Sequence, residues 1–190
     1  MGGRPIFFGK GSIMADKQFP NDPQTRRSLL LAAGGLAAVP VMAKAVAPAP
    51  VAEDVPKAEF VYEAIVTLGP PEEIGETPYG KRVRIPITGG TFKGPRISGT
   101  IFPEGMDWQL IRPDGMTELE AAYLMREADG TVIHIRNKGV AGKGYARTSA
   151  VFEVPNGPHA WLNEAVFAGT VGPVPEMETP AVRIRMYKLV

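Results

Sequence analysis

Tyr145 and Arg147 stand two residues apart in the stretch KGYARTSAVFEV, residues 143–154. Small, β-branched and aromatic residues dominate it, and Pro155-Asn156-Gly157 ends it with turn chemistry, so it reads as a β-strand. Side chains alternate along a strand. Tyr145, Arg147, Ser149, Val151 and Glu153 therefore share one side, and Ala146, Thr148, Ala150, Phe152 and Val154 the other. Two heads rooted about 7 Å apart on one face can reach a single small ligand. The Arg147 guanidinium could hold a carboxylate by two parallel hydrogen bonds. Tyr145 could hydrogen-bond a phenol oxygen or pass a proton, with Asp107 or Glu153 as base if burial raised its pKa. Trp108 and Trp161 could stack on an aromatic ring.

Each of these residues has a plainer role open to it. Tyrosine and arginine on one side of a strand can simply face water, Asp107 can cap a turn after Gly105, and tryptophans belong equally well in a core. Asn163 can satisfy a buried backbone group. His134 alternates with Ile133 and Ile135, which places it on the opposite side, beside Arg136, in a structural or exposed position. Which face of 143–154 points inward decides between these roles.

The chain of 190 residues has a hydrophobic fraction of 44% and a formal net charge of +1, as a globular protein would. No basic stripe with interleaved aromatics stands out, so nucleic acid is not an expected partner. With no cysteine, disulfides, thiolate zinc sites, iron–sulfur clusters and cysteine nucleophiles are excluded. His134 and His159 are the two histidines, and no ligand cluster at metal spacing is visible along the chain, so no metal is expected. Rossmann, P-loop and nucleophile-elbow motifs are absent; GVAGKG (139–144) lacks the following helix of a phosphate cradle and reads as a flexible connection.

Residues 1–45 read as an export signal. Arg26-Arg27 precede an apolar run from Leu29 to Ala43, Ala43-Lys44-Ala45 supplies small residues for cleavage, and TRRSLLL fits a twin-arginine motif. The run is short and holds Gly34, Gly35 and Pro40, which favours cleavage into the periplasm over membrane anchoring. Residues 46–57 form a Pro/Ala linker, leaving 58–190 as one domain. Within it run short alternating segments: 59–68, 81–88, 95–102, 107–112, 119–127, 131–137, 143–154, 160–171 and 181–189. Gly89-Gly90 is expected to end the second of them, while Pro113-Asp114-Gly115 and Asp129-Gly130 are hairpin turns. Pro86 lacks a ladder donor and points to an edge or bulge, where a second copy could pair. About eight or nine strands allow a sandwich or a closed antiparallel barrel. The barrel is favoured, because one of about eight strands can hold a small ligand.

The ordered series ITGGTFKGPRISGTIFPEGMDWQLIRPDG, AAYLMREADGTVIHIRNKG, YARTSAVFEV and AWLNEAVFAG resembles the DUF3237 family, also called UPF0311, from about Phe60 to the C-terminus. The chain departs from the family pattern at Glu104, where a second glycine is frequent, and at Ala121-Ala122-Tyr123, where an arginine commonly precedes the tyrosine. The resemblance implies a compact, calycin-like antiparallel β-barrel. It also implies an association with bacterial breakdown of aromatic compounds, including cofactor-independent decarboxylation of lignin-derived phenolic acids. Carried onto this chain, it marks Asp107, Trp108, Tyr123, Tyr145 and Arg147, with Glu153, Trp161 and Asn163 in support.

The expectation is then a cofactor-free lyase, decarboxylase or isomerase acting on a small aromatic carboxylic acid. Arg147 holds the carboxylate, the tryptophans flank the ring, Tyr145 or Asp107 moves a proton, and the ring absorbs the developing charge. The alternative is a periplasmic, lipocalin-like carrier of an aromatic or apolar molecule.

Overall fold

The computed structural model describes residues 55–190; the expected export signal, and the linker as far as residue 54, lie outside the described residues. Ten strands form one antiparallel sheet: β1 (Ala58–Leu68), β2 (Glu72–Thr77), β3 (Gly80–Lys93), β4 (Ser98–Ile101), β5 (Gly105–Ile111), β6 (Thr117–Glu127), β7 (Val132–Gly142), β8 (Tyr145–Glu153), β9 (Phe167–Pro173) and β10 (Ala181–Leu189). β1 pairs with both β10 and β3, which closes the sheet on itself. β4 and β5 fill successive stretches of one place between β3 and β6, so the result is a closed barrel of eight strand positions.

β3 shows why the chain folds this way. Val83, Ile85 and Ile87 alternate inward while Arg82 and Arg84 turn out. Its first half pairs with β2 and its second with β1, which are one strand interrupted at Gly69-Pro70-Pro71. Pro86 sits at that interruption. Its carbonyl accepts from the Gly69 N–H at 2.8 Å, so its missing N–H would face the same gap and no bond to β5 is lost. Gly89-Gly90 bends β3 instead of ending it, correcting the expected break: φ at Gly90 is +141°, and a Cβ there would lie 2.1 Å from the Ile65 carbonyl oxygen. β2, whose sequence shows no alternation, buries neither face.

Both predicted hairpin turns form, and the segment around Leu119–Glu127 is a strand. GVAGKG is not a flexible connection: it completes β7 and makes the tight Lys143-Gly144 turn into β8. The expected strand over 160–171 begins only at Phe167, because Ala160–Glu164 winds into a 3₁₀ helix that caps one end of the barrel. Beneath it Phe152 and Phe167 meet edge to face at 4.8 Å, and Tyr62 lies edge-on to Phe92 at 5.8 Å, with Met125, Ile133, Ile135, Leu162 and Met186 filling the rest.

Asn163 fastens the helix to the strand end. Its Oδ1 accepts from the Val154 N–H at 2.9 Å and its Nδ2 donates to the Val154 carbonyl at 2.8 Å. Asn163→Ala strands both groups of a buried residue and is expected to cost about 1–3 kcal/mol, read as a lower midpoint in chemical denaturation; an unchanged midpoint would refute that role.

Candidate functional site

The other end of the barrel, at the β5–β6 and β7–β8 hairpins, is hollow. A cavity of about 60 Å³ lies among β1, β3, β5, β6, β7, β8, β9 and β10, its walls largely apolar, with Ile87, Leu119, Val171 and Ile184 among them. On the scale by which one water needs roughly 10–15 Å³, it has room for a small ligand's reacting end. Five polar side chains reach it: Asp107, Gln109, Tyr123, Asn137 and Thr148.

Strand alternation sets each of them. Asp107 and Gln109 share the inward side of β5; Asn137 continues the inward series Ile133, Ile135 on β7; Thr148 belongs to the inward series Thr148, Ala150, Phe152 on β8. Glycines make the room. A Cβ on Gly105 would fall 2.5 Å from the Tyr123 Cβ. Thr148 is paired on either side with Gly139 and Gly169, where a Cβ would come within 2.7 Å of its Cγ2 and 2.5 Å of its Oγ1 respectively.

The electrostatics fit acid–base work. Burial pushes the Asp107 carboxyl above its ordinary range, partly opposed by the Gln109 amide, which donates from Nε2 to Oδ2 at 2.7 Å, and by a backbone hydrogen bond at Glu120. Burial, and then the nearby Asp107 charge, push the Tyr123 phenol far up, so it stays protonated at working pH. Six buried side-chain polar atoms lack a hydrogen-bond partner among the described residues. Four of them line this cavity: Gln109 Oε1, Tyr123 Oη, Asn137 Oδ1 and Thr148 Oγ1. Buried polar groups are normally paired, so such a concentration marks a place where something else binds.

Of the residues expected from the sequence, Asp107 and Tyr123 reach the cavity. Tyr145 and Arg147 do not. The core takes in Phe152 and Val154, which fixes β8 with its polar side outward; Tyr145 is 51% exposed, and Arg147 donates to its neighbour's carbonyl at 2.7 Å. Trp108 joins these two in an open depression on the outer wall. Glu153 also faces out, 3.6 Å from His134. Trp161 packs against the filled end beneath the Arg96 guanidinium at 4.2 Å, and Asn163 serves the backbone as described. Gln109, Asn137 and Thr148 were missed, although the inward apolar series that each continues was a usable signal.

The fold also assembles what the linear sequence does not show, a set of potential metal ligands. Glu127, Asp129 and His159 bring ligand atoms within 4.8 Å of one another. Their oxygens already accept N–H groups from Ser98, Asp129 and Thr131, and Asp129 Oδ2 receives His159 Nε2–H at 2.9 Å, so the trio ties the β6–β7 turn to the segment before the 3₁₀ helix.

The family model described as "Protein of unknown function (DUF3237)" matches residues 56–144. A UPF0311 protein of Rhodopseudomonas palustris is 33% identical over 130 residues, covering 59% of this chain and 85% of that protein. The crystal structure of a protein of unknown function from the same organism superposes with a TM-score of 0.63 at 30% identity, over 72% of this chain and 99% of that one. A β-barrel-like protein of Acinetobacter baumannii gives a TM-score of 0.66 at 28% identity, over 76% and 99%. The hydroalkoxylation enzyme phnH of Penicillium herquei is 27% identical over 115 residues, covering 60% of this chain and 74% of that enzyme.

Proposed function

The chain belongs to the DUF3237 family, and on that footing we propose that its barrel cavity is the active site of a lyase or isomerase that moves a proton on a small aromatic substrate. Asp107 is the base and Tyr123 the hydrogen-bond donor. The observation that carries this reading is the convergence of four unpaired polar atoms and one half-buried carboxylate on a single apolar cavity.

A carboxylate whose pKa is raised by burial is a stronger base than an exposed one and releases its proton less readily. Asp107 takes a proton from the substrate's O–H or C–H, electrons move through the conjugated system, and the same carboxyl returns the proton to carbon or to the departing oxygen. The balance closes within the substrate. Tyr123, held protonated, donates a hydrogen bond to the oxygen on which negative charge builds. Addition of an O–H across a carbon–carbon double bond, the reaction in the name of the Penicillium herquei relative, has this form, and so does its reverse. Decarboxylation held by Arg147 would need its guanidinium in the cavity, whereas it lies on the outer face of β8, so proton transfer at Asp107 proceeds without that grip.

The apolar walls equally favour a carrier. The separating experiment incubates the protein with a panel of hydroxylated aromatic compounds and follows both binding and product mass. Turnover is expected, falling about 10²–10⁴-fold in Tyr123→Phe and staying at the wild-type level in Arg147→Ala. Binding with no product from any compound supports the carrier; an Arg147→Ala variant without activity would return the site to the outer wall.

A further inference from the structure

Resting on the cavity assignment above, we infer that this site selects an uncharged ligand carrying at least two hydroxyl-type donors, and that it turns carboxylates away. No lysine, arginine or histidine is among the residues lining it, and Asp107 supplies the one formal charge. An anionic ligand would be desolvated against the half-buried Asp107 carboxylate with no cation among the lining residues to balance either charge, an arrangement proteins avoid.

The count of donors follows from the unpaired atoms. Gln109 already directs its Nε2 to Asp107, which fixes the amide and leaves Oε1 turned away, able only to accept. Asn137 presents a second unpaired amide oxygen, Oδ1. Two buried acceptors therefore await donors that the ligand must bring. Tyr123 and Thr148 can donate to the ligand's own oxygens, since their hydroxyls are also unpaired. The remaining wall is apolar and built from strands on every side, and its volume of about 60 Å³ is below the roughly 150 Å³ that encloses a benzene ring, so the ligand's hydroxyl-bearing edge enters while its ring extends toward the open hairpin end. A compact aromatic diol meets all of these demands, whereas a phenolic acid meets the apolar part and fails on charge.

The test measures binding by titration calorimetry at pH 7, without requiring turnover. The probes are catechol, resorcinol and hydroquinone, with phenol, 1,3-dimethoxybenzene and 3-hydroxybenzoate as comparators. At least one diol is expected to bind, phenol about tenfold or more weaker, the dimethyl ether and the benzoate not detectably. Asp107→Asn is expected to gain measurable affinity for 3-hydroxybenzoate, because it removes the like charge. The inference is overturned if the benzoate binds the wild type as tightly as the best diol, if the dimethyl ether matches that diol, or if none of the three diols binds. Selective diol binding with no turnover would leave this inference standing while removing the catalytic reading; turnover of hydroxybenzoates would do the reverse.

Discussion

Replacing Asp107 with asparagine is expected to lower turnover by about 10²–10⁴-fold and, at the same time, to raise the melting temperature at pH 7. The two effects share one cause. Burial disfavours the charged form of this carboxyl, so its pKa in the fold lies above the value near 3.9 that the unfolded chain has. Between those two values the folded protein holds a proton that the unfolded chain has shed, and stability falls as the pH rises through that window. Above it the native state carries the cost of a half-buried charge. An asparagine keeps the size and can still accept from Gln109 through its amide oxygen. Its advantage should therefore vanish below about pH 3, where the aspartate is neutral in both states. Melting curves at pH 3 and pH 7 beside a turnover assay read both effects. Full activity in the variant, or an equal shift at both pH values, contradicts the account.

Phe167→Ala is the largest expected loss of stability. Its ring is buried, stands 4.8 Å from Phe152 and 6.3 Å from Trp161, and so joins β9, β8 and the 3₁₀ segment at the filled end. Truncating a buried phenylalanine costs about 3–5 kcal/mol, a large part of the 5–15 kcal/mol typical of a whole domain. For this size of domain that corresponds to a drop of roughly 10–20 °C. Val151→Ala on the outer side of the adjacent strand should stay within about 0.5 kcal/mol of the parent. If the two variants melt together, the filled end is not where the barrel is held.

Much of the barrel could be read from alternation and turn chemistry. Val83, Ile85 and Ile87 declare their inward face because the intervening positions are arginines or proline, and Asp129-Gly130 declares its hairpin through the φ of +92° that Gly130 adopts. The 143–154 strand was harder. Alternation yields two faces without saying which is inner; cores select by hydrocarbon, so Phe152 and Val154 set the inner face and the polar groups Tyr145, Arg147 and Glu153 the outer one. β2 escaped notice because Glu72, Glu73, Ile74 and Glu76 bury nothing, and periodicity appears only where one side is buried. The polar cavity residues were hidden for the opposite reason: Gln109, Asn137 and Thr148 occupy core positions with the wrong polarity, the signature a binding site leaves.

Each long strand runs from the filled end of this barrel to the hollow one. β6 passes the cavity at Leu119 and reaches the filled core at Met125, with Tyr123 between them. Protection of its amides against solvent deuterium should therefore climb along a single strand instead of changing from one element to the next. The mouth could then breathe to admit a guest while the base stays shut, and a lineage could remodel what it accepts at one pole without unmaking the scaffold at the other.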